Sequence, residues 1–503
     1  MKKYNIAFLG ILLLFIVKGY SQNEMDAFRY SQLIPTGTAR SSALSGSIGG
    51  FGADFTTVNT NPAGLGVYKR TEFTFTPSIY YSKTNSLYNG INAYDFKYNF
   101  NISNVGAVFA IPLKNSEWKY LQIATGLNRL NNFHNNYLVE GPNTNIKGTS
   151  TTSLSEYFDF AQYADGISES DLFNDDDFYN FGLGSWAYMS WLIDPVIGDT
   201  INYPYVNNLT GVELNQQKVM ETRGAMNEYV FSMGANYDDK LYIGATFGIP
   251  FFKYSADYIL TETVKNQNDT NINVNSFEYT ESLDANGTGI NFKVGFLYQP
   301  VSFLRFGAAI HTPSYFASVR ENFNQTFTAY YDDDNKSERF ETNPPSYPYS
   351  ITTPYHVIGD MAFIFGKYGF INLNYQFTDY TTMQLSSAGS NRYSFVNENN
   401  NIRKYYQAVH KLAIGAEVNL SPVSIRLGYA YNSNPYRSIT DKDGSFHMIS
   451  GGIGIRTDHF FTDFAYVYRL YNEKSVLYND PNVSVTNTKI FNQYILLTFG
   501  VKI

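Results

Sequence analysis

The sequence predicts an all-β fold: a 14-stranded antiparallel transmembrane β-barrel with an N-terminal hatch in its lumen and a long helical extracellular loop. Three observations predict it. Segments of period-2 alternation recur along the whole chain. Their connections alternate between tight turns and long polar loops. The only long apolar run lies at the N-terminus, so a helical membrane bundle is excluded.

Composition narrows the class further. Charged residues make up 16% of the 503 residues, against about 25% in ordinary globular chains. Aromatics reach 17%, with 44 Tyr and 40 Phe, which excludes an intrinsically disordered chain. With no Cys, the chain has no disulfide framework, Cys-zinc site or Cys nucleophile. A net charge of −8 argues against a nucleic-acid partner.

The N-terminal run has the form of a signal peptide. Lys2 and Lys3 precede an apolar stretch over residues 6–17, and Gly19-Tyr20-Ser21 offers a small-x-small cleavage pattern. Residues 1–21 are therefore expected to be removed, leaving residues 22–70 as a hatch and 71–503 as the barrel. An exported chain of this pattern is expected in the outer membrane.

The last ten residues show the alternation clearly. Ile495, Leu497, Phe499, Val501 and Ile503 share one face, and Tyr494, Leu496, Thr498, Gly500 and Lys502 the other. The same reading places strands near 71–83, 97–112, 117–130, 220–237, 240–257, 276–299, 302–312, 354–366, 368–380, 405–420, 423–433, 445–457, 460–471 and 489–503. Six connections are tight, at residues 115–116, 238–239, 299–301, 366–367, 421–422 and 458–459. The other seven read as longer loops rich in Asn, Asp, Ser and Tyr. Short periplasmic turns and longer extracellular loops are the barrel asymmetry, which a β-sandwich has no reason to show.

Charges and glycines agree with a filled lumen. Lys293, Arg305, Asp360, Lys411, Glu417, Arg426, Arg456, Asp463 and Arg469 all fall opposite the apolar faces. At mid-bilayer a lipid-facing Lys or Arg costs about 2–4 kcal/mol. Gly106, Gly126, Gly234, Gly244, Gly248, Gly295, Gly307, Gly415, Gly428, Gly452, Gly454 and Gly500 share that inner face and leave room for something inside. Residues 23–70, with Leu33, Ile34, Leu44, Ile48, Phe51, Phe55, Val58 and Leu65, carry too many spaced apolar residues for a solvated tail. A compact plug accounts for both.

The stretch GTARSSALSGSIGGFGADFTTVNTNPAGLGVYKR resembles the N-terminal hatch of the FadL/TodX family of outer-membrane transport proteins. Its marker is NPAGL, Asn61-Pro62-Ala63-Gly64-Leu65. FGAAIHTPSYF (306–316), AFIFGKYGFINLNY (362–375) and IRLGYAYNSNPY (425–436) are similar to a Bacteroidetes-type branch of that family. The resemblance implies passive uptake of hydrophobic small molecules, typically long-chain fatty acids or aromatic hydrocarbons, by a monomer with no cofactor. It also implies a moving hatch and an exit sideways through the wall near the third strand. There Gly126 reads either as a kink or as simple packing.

The connection over residues 131–219 is too long for a passive loop. Its segments 154–167 and 176–195 read as amphipathic helices. Trp186, Tyr188, Trp191 and Leu192 are candidates for a landing surface for an apolar ligand, or for a cap packed over the barrel mouth. The Pro-rich loop over residues 313–353 is expected to fold over the same mouth.

Lys293, Arg305, Arg426 and Arg456 are lumen candidates for holding a ligand carboxylate, or partners for the lumen acids Asp360, Glu417 and Asp463. His311 is the best-placed residue for the alternative of a haem receptor. A further alternative is a protein-binding shuttle in a type IX-like secretion system, with secreted proteins as partners. Catalytic motifs such as HExxH and GxSxG are absent, so no enzyme is expected. The acidic runs at 175–177 and 332–334 lack EF-hand spacing and read as solvated loops, so no metal site is expected.

Overall fold

The computed structural model describes residues 23–34, 36–143, 153, 166–172, 178–196, 205–265, 274–331, 337–342, 347–389, 392–478 and 483–503. The expected leader, nearly all of the 154–167 segment and both acidic runs lie outside these residues. Among them, no helix is long and apolar enough to cross a membrane.

Each expected strand forms. They are β1 (Glu72–Tyr88), β2 (Ile91–Pro112), β3 (Trp118–Asn132), β4 (Leu214–Tyr237), β5 (Leu241–Val264), β6 (Val274–Val301) and β7 (Leu304–His311). There follow β8 (His356–Ile364), β9 (Gly369–Asp379), β10 (Ala408–Leu420), β11 (Val423–Asn432), β12 (Phe446–Arg456), β13 (Phe460–Ser475) and β14 (Thr486–Lys502). Consecutive strands pair antiparallel, and β14 pairs with β1, Lys502 lying opposite Glu72. Closure leaves no edge strand in the hydrocarbon layer, where an unpaired backbone group costs several kcal/mol. Phe73, Phe75, Phe231, Phe292, Leu427 and Phe499 are among the exposed outer residues.

The structure corrects the loops. The first extracellular connection is no long loop. β1 and β2 run on to a two-residue turn at Asn89-Gly90, with φ +45° and +85°. Positive φ at both central residues suits Asn-Gly and matches strand twist. Of residues 313–353, the described part is mostly sheet: Tyr315–Tyr331 pairs with upper β6, and Ser337–Thr342 pairs back onto it, while the prolines at 344–345 lie outside the described residues. Inside the long loop, Asn135–Pro142 pairs with upper β4 and helix Phe178–Met189 follows. The upper β1–β2 hairpin keeps an exposed apolar face, with Leu87, Ile91, Tyr94 and Phe96, interleaved with enough polar residues that the sequence reading ended both strands early.

Residues 23–70 fill the ring. They reach strands on opposite sides: Arg40 Nε donates to Glu417 Oε2 at 2.8 Å on β10, and Gln122 Nε2 on β3 donates to the Tyr68 carbonyl at 2.8 Å. The inward glycines form the bed. A Cβ on Gly106 or Gly126 would meet Phe55, on Gly234 Leu65, on Gly295 or Gly307 Asn61, and on Gly415 or Gly428 Leu44. On Gly244 it would lie 2.2 Å from the Pro62 carbonyl oxygen, which cannot move without its backbone. Gly248, Gly454 and Gly500 instead make room for the wall's own side chains, Glu228, Asp463 and Phe461.

A Gly244→Val variant should therefore keep a folded ring, read by heat-modifiable gel mobility, while its plug is lifted. Overpacking of this kind costs about 1–3 kcal/mol. Trypsin should then cut at Arg40, which is buried in the wild type. Unchanged protection of Arg40 would contradict this packing.

Candidate functional site

The NPAGL motif is a 3-10 turn set into the glycine bed. Asn61 caps it, its Oδ1 accepting from Ala63 N–H at 3.2 Å, and Pro62 takes the first position, where no N–H is needed. Asn61 Nδ2 donates to the Phe296 carbonyl on β6 at 3.3 Å. Ala63 packs on Tyr242 and Leu297. Gly64 accepts from Ala53 N–H at 3.1 Å and lies against Thr57. Leu65 is buried with Phe55, Val58, Val108, Ala124 and Val230. The motif thus fits one place on β4–β7.

A row of alternating charges ties the opposite side. Arg40 makes a two-pronged contact with Glu417, 2.8 Å from each oxygen. Arg426 Nε donates to Glu417 Oε2 at 2.6 Å and its Nη1 to Asp463 Oδ1 at 2.7 Å. Arg456 Nη2 donates to Asp463 Oδ2 at 2.7 Å. Burial disfavours the Arg40 cation, but Glu417 outweighs it and holds the guanidinium above its ordinary pKa range.

The other lumen candidates are engaged in the same way. Lys293 Nζ donates to Glu228 Oε2 at 2.6 Å, and Asn59 of the plug donates to the same oxygen. Arg305 holds the Phe51 carbonyl and, at 2.8 Å, Gln299 Oε1. His311 Nε2 lies 2.8 Å from the Thr60 carbonyl oxygen. So Lys293, Arg305, His311, Arg426 and Arg456 are brought to the plug or to the wall acids Glu228, Glu417 and Asp463. Lys411, inward as expected, has no ion pair or hydrogen bond among the described residues.

Above the plug, residues 23–30 lie in an aromatic cluster. Helix Glu24–Arg29 starts with a capping box between Asn23 and Asp26. Phe28 packs edge-on to Tyr380 at 5.1 Å, and Tyr30 stacks on Phe252 at 3.9 Å. The extracellular helix Val396–Tyr405 closes over them, with Ile402 in the same cluster.

The landing candidates divide. Trp186 and Leu192 are buried among Phe277, Phe327 and Leu477, so they belong to a cap and not to a surface. Tyr188 is half-buried and donates to Glu169 Oε2 at 3.1 Å. Trp191 is 62% exposed. Alternation along the sequence could not tell these apart, because burial here is decided by the extended β6 and its partner strand.

The wall parts beside this cluster. β2 pairs with β3 only from Asn104↔Asn128 to Pro112↔Tyr120. Above that level, residues 91–103 of β2 pair with β1 alone among the described residues. A bulge at Ser103, opposite Thr76-Pro77, marks the level at which β2 leaves β3. Gly126 sits just below, where a Cβ would lie 2.5 Å from Phe55 Cζ, so its role is packing. Residues 32–34 close the parting from the lumen: Ile34 N–H donates to the Leu130 carbonyl at 2.8 Å, and Asn131 Nδ2 to the Gln32 carbonyl at 3.0 Å. A cavity of about 300 Å³ lies there, lined by Asn99, Phe100, Asn101, Arg129 and His134, with Gly224 and Phe251–Lys253 opposite. Among the described residues, no cluster of three His, Asp or Glu able to hold a metal forms.

The chain shares the fold of FadL- and TodX-type outer-membrane barrels. A Pseudomonas aeruginosa FadL homologue superposes with a TM-score of 0.53, at 13% identity, over 94% of this chain and 99% of that one. The P. putida toluene transporter TodX superposes with a TM-score of 0.52, at 10% identity, over 93% and 98%. By sequence, neither a family model nor a curated protein matches. The likeness is one of fold.

Glu417 is the acceptor shared by a plug arginine and a wall arginine. A Glu417→Gln variant should lose about 3–5 kcal/mol, as buried pairs do when one partner is removed. Urea unfolding in detergent would read the loss, and an unchanged midpoint would remove the row from the stability account.

Proposed function

We propose that the protein is a passive outer-membrane channel for hydrophobic small molecules, long-chain fatty acids or aromatic hydrocarbons, with residues 23–70 as its hatch. One observation carries the reading: the N-terminal segment fills the lumen and also closes, at residues 32–34, the place where the wall parts. A ligand lands on the extracellular cap near the exposed Trp191 and enters the aromatic cluster around Phe28 and Tyr30. Withdrawal of residues 32–34 then opens the way between β2 and β3. The latch is Asn61 to Leu65 in its glycine bed. Lys293, Arg305, His311, Arg426 and Arg456 are engaged with the hatch or with the wall acids Glu228, Glu417 and Asp463, so Lys411 and Arg469 are the inward cations without an ion pair among the described residues that are left to meet a carboxylate. The ring closes within one chain, so the route needs no second copy.

A cross-link tests this cleanly, because the chain has no Cys of its own. Gln32→Cys with Asn131→Cys, joined by a short bifunctional thiol reagent, should abolish uptake of labelled oleate and toluene by cells. Each single-Cys variant treated with the same reagent should transport normally. Full uptake by the cross-linked pair would end the proposed route.

A further inference from the structure

Arg129 is out of place. On β3, Ile123 and Thr125 alternate outward and Gln122, Ala124 and Asn128 inward, which puts Arg129 on the outer face. The inward charges named from the sequence avoid that face. Arg129 also has no ion pair or hydrogen bond among the described residues, and its Nε is buried without a partner. An unpaired buried guanidinium nitrogen is costly unless something supplies an acceptor. Its side chain lines the cavity of about 300 Å³ at the parting, with Asn99, Asn101, His134 and Lys253.

We propose that the parting of β2 from β3 binds the phosphate headgroup of an outer-leaflet lipid, with Arg129 as the cation that holds it. The surroundings have the two halves an amphiphile needs. Lys253, opposite Ala225 and exposed, adds a second positive charge beside Arg129. Toward the membrane, the outer wall turns aromatic, with Tyr229 stacked on Phe251 at 5.2 Å. Phe100, 71% exposed, flanks the other side. Phosphate suits this set better than a neutral head, since a guanidinium fork and an ammonium both donate to its several oxygens. The lumen side of the parting is shut by residues 32–34, so the open approach is from the lipid. Bound there, the lipid closes the outer side of a gap whose inner side the N-terminal segment closes. The inference rests on the wall alone and holds whether or not the barrel transports anything.

Native mass spectrometry of the full-length protein released from detergent tests it, with bisphosphorylated lipid A as probe and dephosphorylated lipid A and palmitate as comparisons. The wild type should retain one bisphosphorylated lipid per chain in preference to either comparison. Arg129→Gln should reduce that retention about tenfold, the loss of one charge-assisted hydrogen bond. Arg129→Lys should restore part of it, and heat-modifiable mobility should show both variants folded. Equal retention of the two lipid A forms, or unchanged retention by Arg129→Gln, would overturn the assignment. So would displacement of lipid A by palmitate, which would give the cavity to a transported acid instead.

Discussion

Arg40 stands between two parts of the chain separated by 377 residues, its guanidinium on Glu417 and its backbone in the plug. The wall beneath is a row of arginines and acids, Arg426, Asp463 and Arg456, in which each carboxylate serves two cations. Without Arg40, Glu417 would keep one partner and lose the other. The plug is therefore part of the electrostatic balance of the barrel interior as well as its filling. Breaking such a buried pair costs several kcal/mol, although forming it from solvated ions yields far less. The asymmetry holds the N-terminal segment in register more than it stabilises the ring.

The glycine bed does the complementary work. On the β10–β13 side Arg40 pairs with Glu417 and Leu44 seats on Gly415 and Gly428; on the β4–β7 side Asn61, Pro62 and Leu65 meet Gly295, Gly244 and Gly234, and Asn59 and Thr60 bond to Glu228 and His311. Close packing resists small shifts, and the two-pronged Arg40–Glu417 pair resists both separation and rotation. The aromatic contacts of Phe28 and Tyr30 lie next to the parted wall.

The parting obeys the membrane's own constraint. Where lipid surrounds the ring, β2 and β3 remain hydrogen-bonded, from Asn104 to Pro112. The ladder ends only after the bulge at Ser103, where polar side chains such as Asn99 and Asn132 satisfy one another at 3.2 Å. A split lower down would strand backbone groups in hydrocarbon. On the β3–β5 side the outer wall changes at that level from Tyr229 and Phe251 to Lys253 and Arg129, while on β2 the exposed Tyr94, Phe96 and Tyr98 continue the aromatic face. Wall geometry and headgroup chemistry coincide there.

Every barrel strand, the lipid face and the side of each charged residue such as Lys293 or Asp463 could be read from alternation alone. The bilayer imposes that pattern, because one face of each strand must be apolar over its whole span. The inward glycines announced that something lay inside, and the spaced apolar residues of the N-terminal segment, Leu44, Phe55 and Leu65 among them, fill that space. Beyond the membrane the constraint lapses, and with it the signal: Tyr315–Tyr331 is a long strand that read as loop, and Asn89-Gly90 is a hairpin turn inside a supposed loop. What tertiary structure alone decided was partnership. Whether Arg426 meets a ligand or Glu417, whether Trp186 faces water or Phe327, and whether Arg129 finds an acceptor all depend on chain segments far away in sequence. Neither side-chain type nor spacing carries that information, because the free energy of a buried charge or ring is set by what lies across the lumen from it.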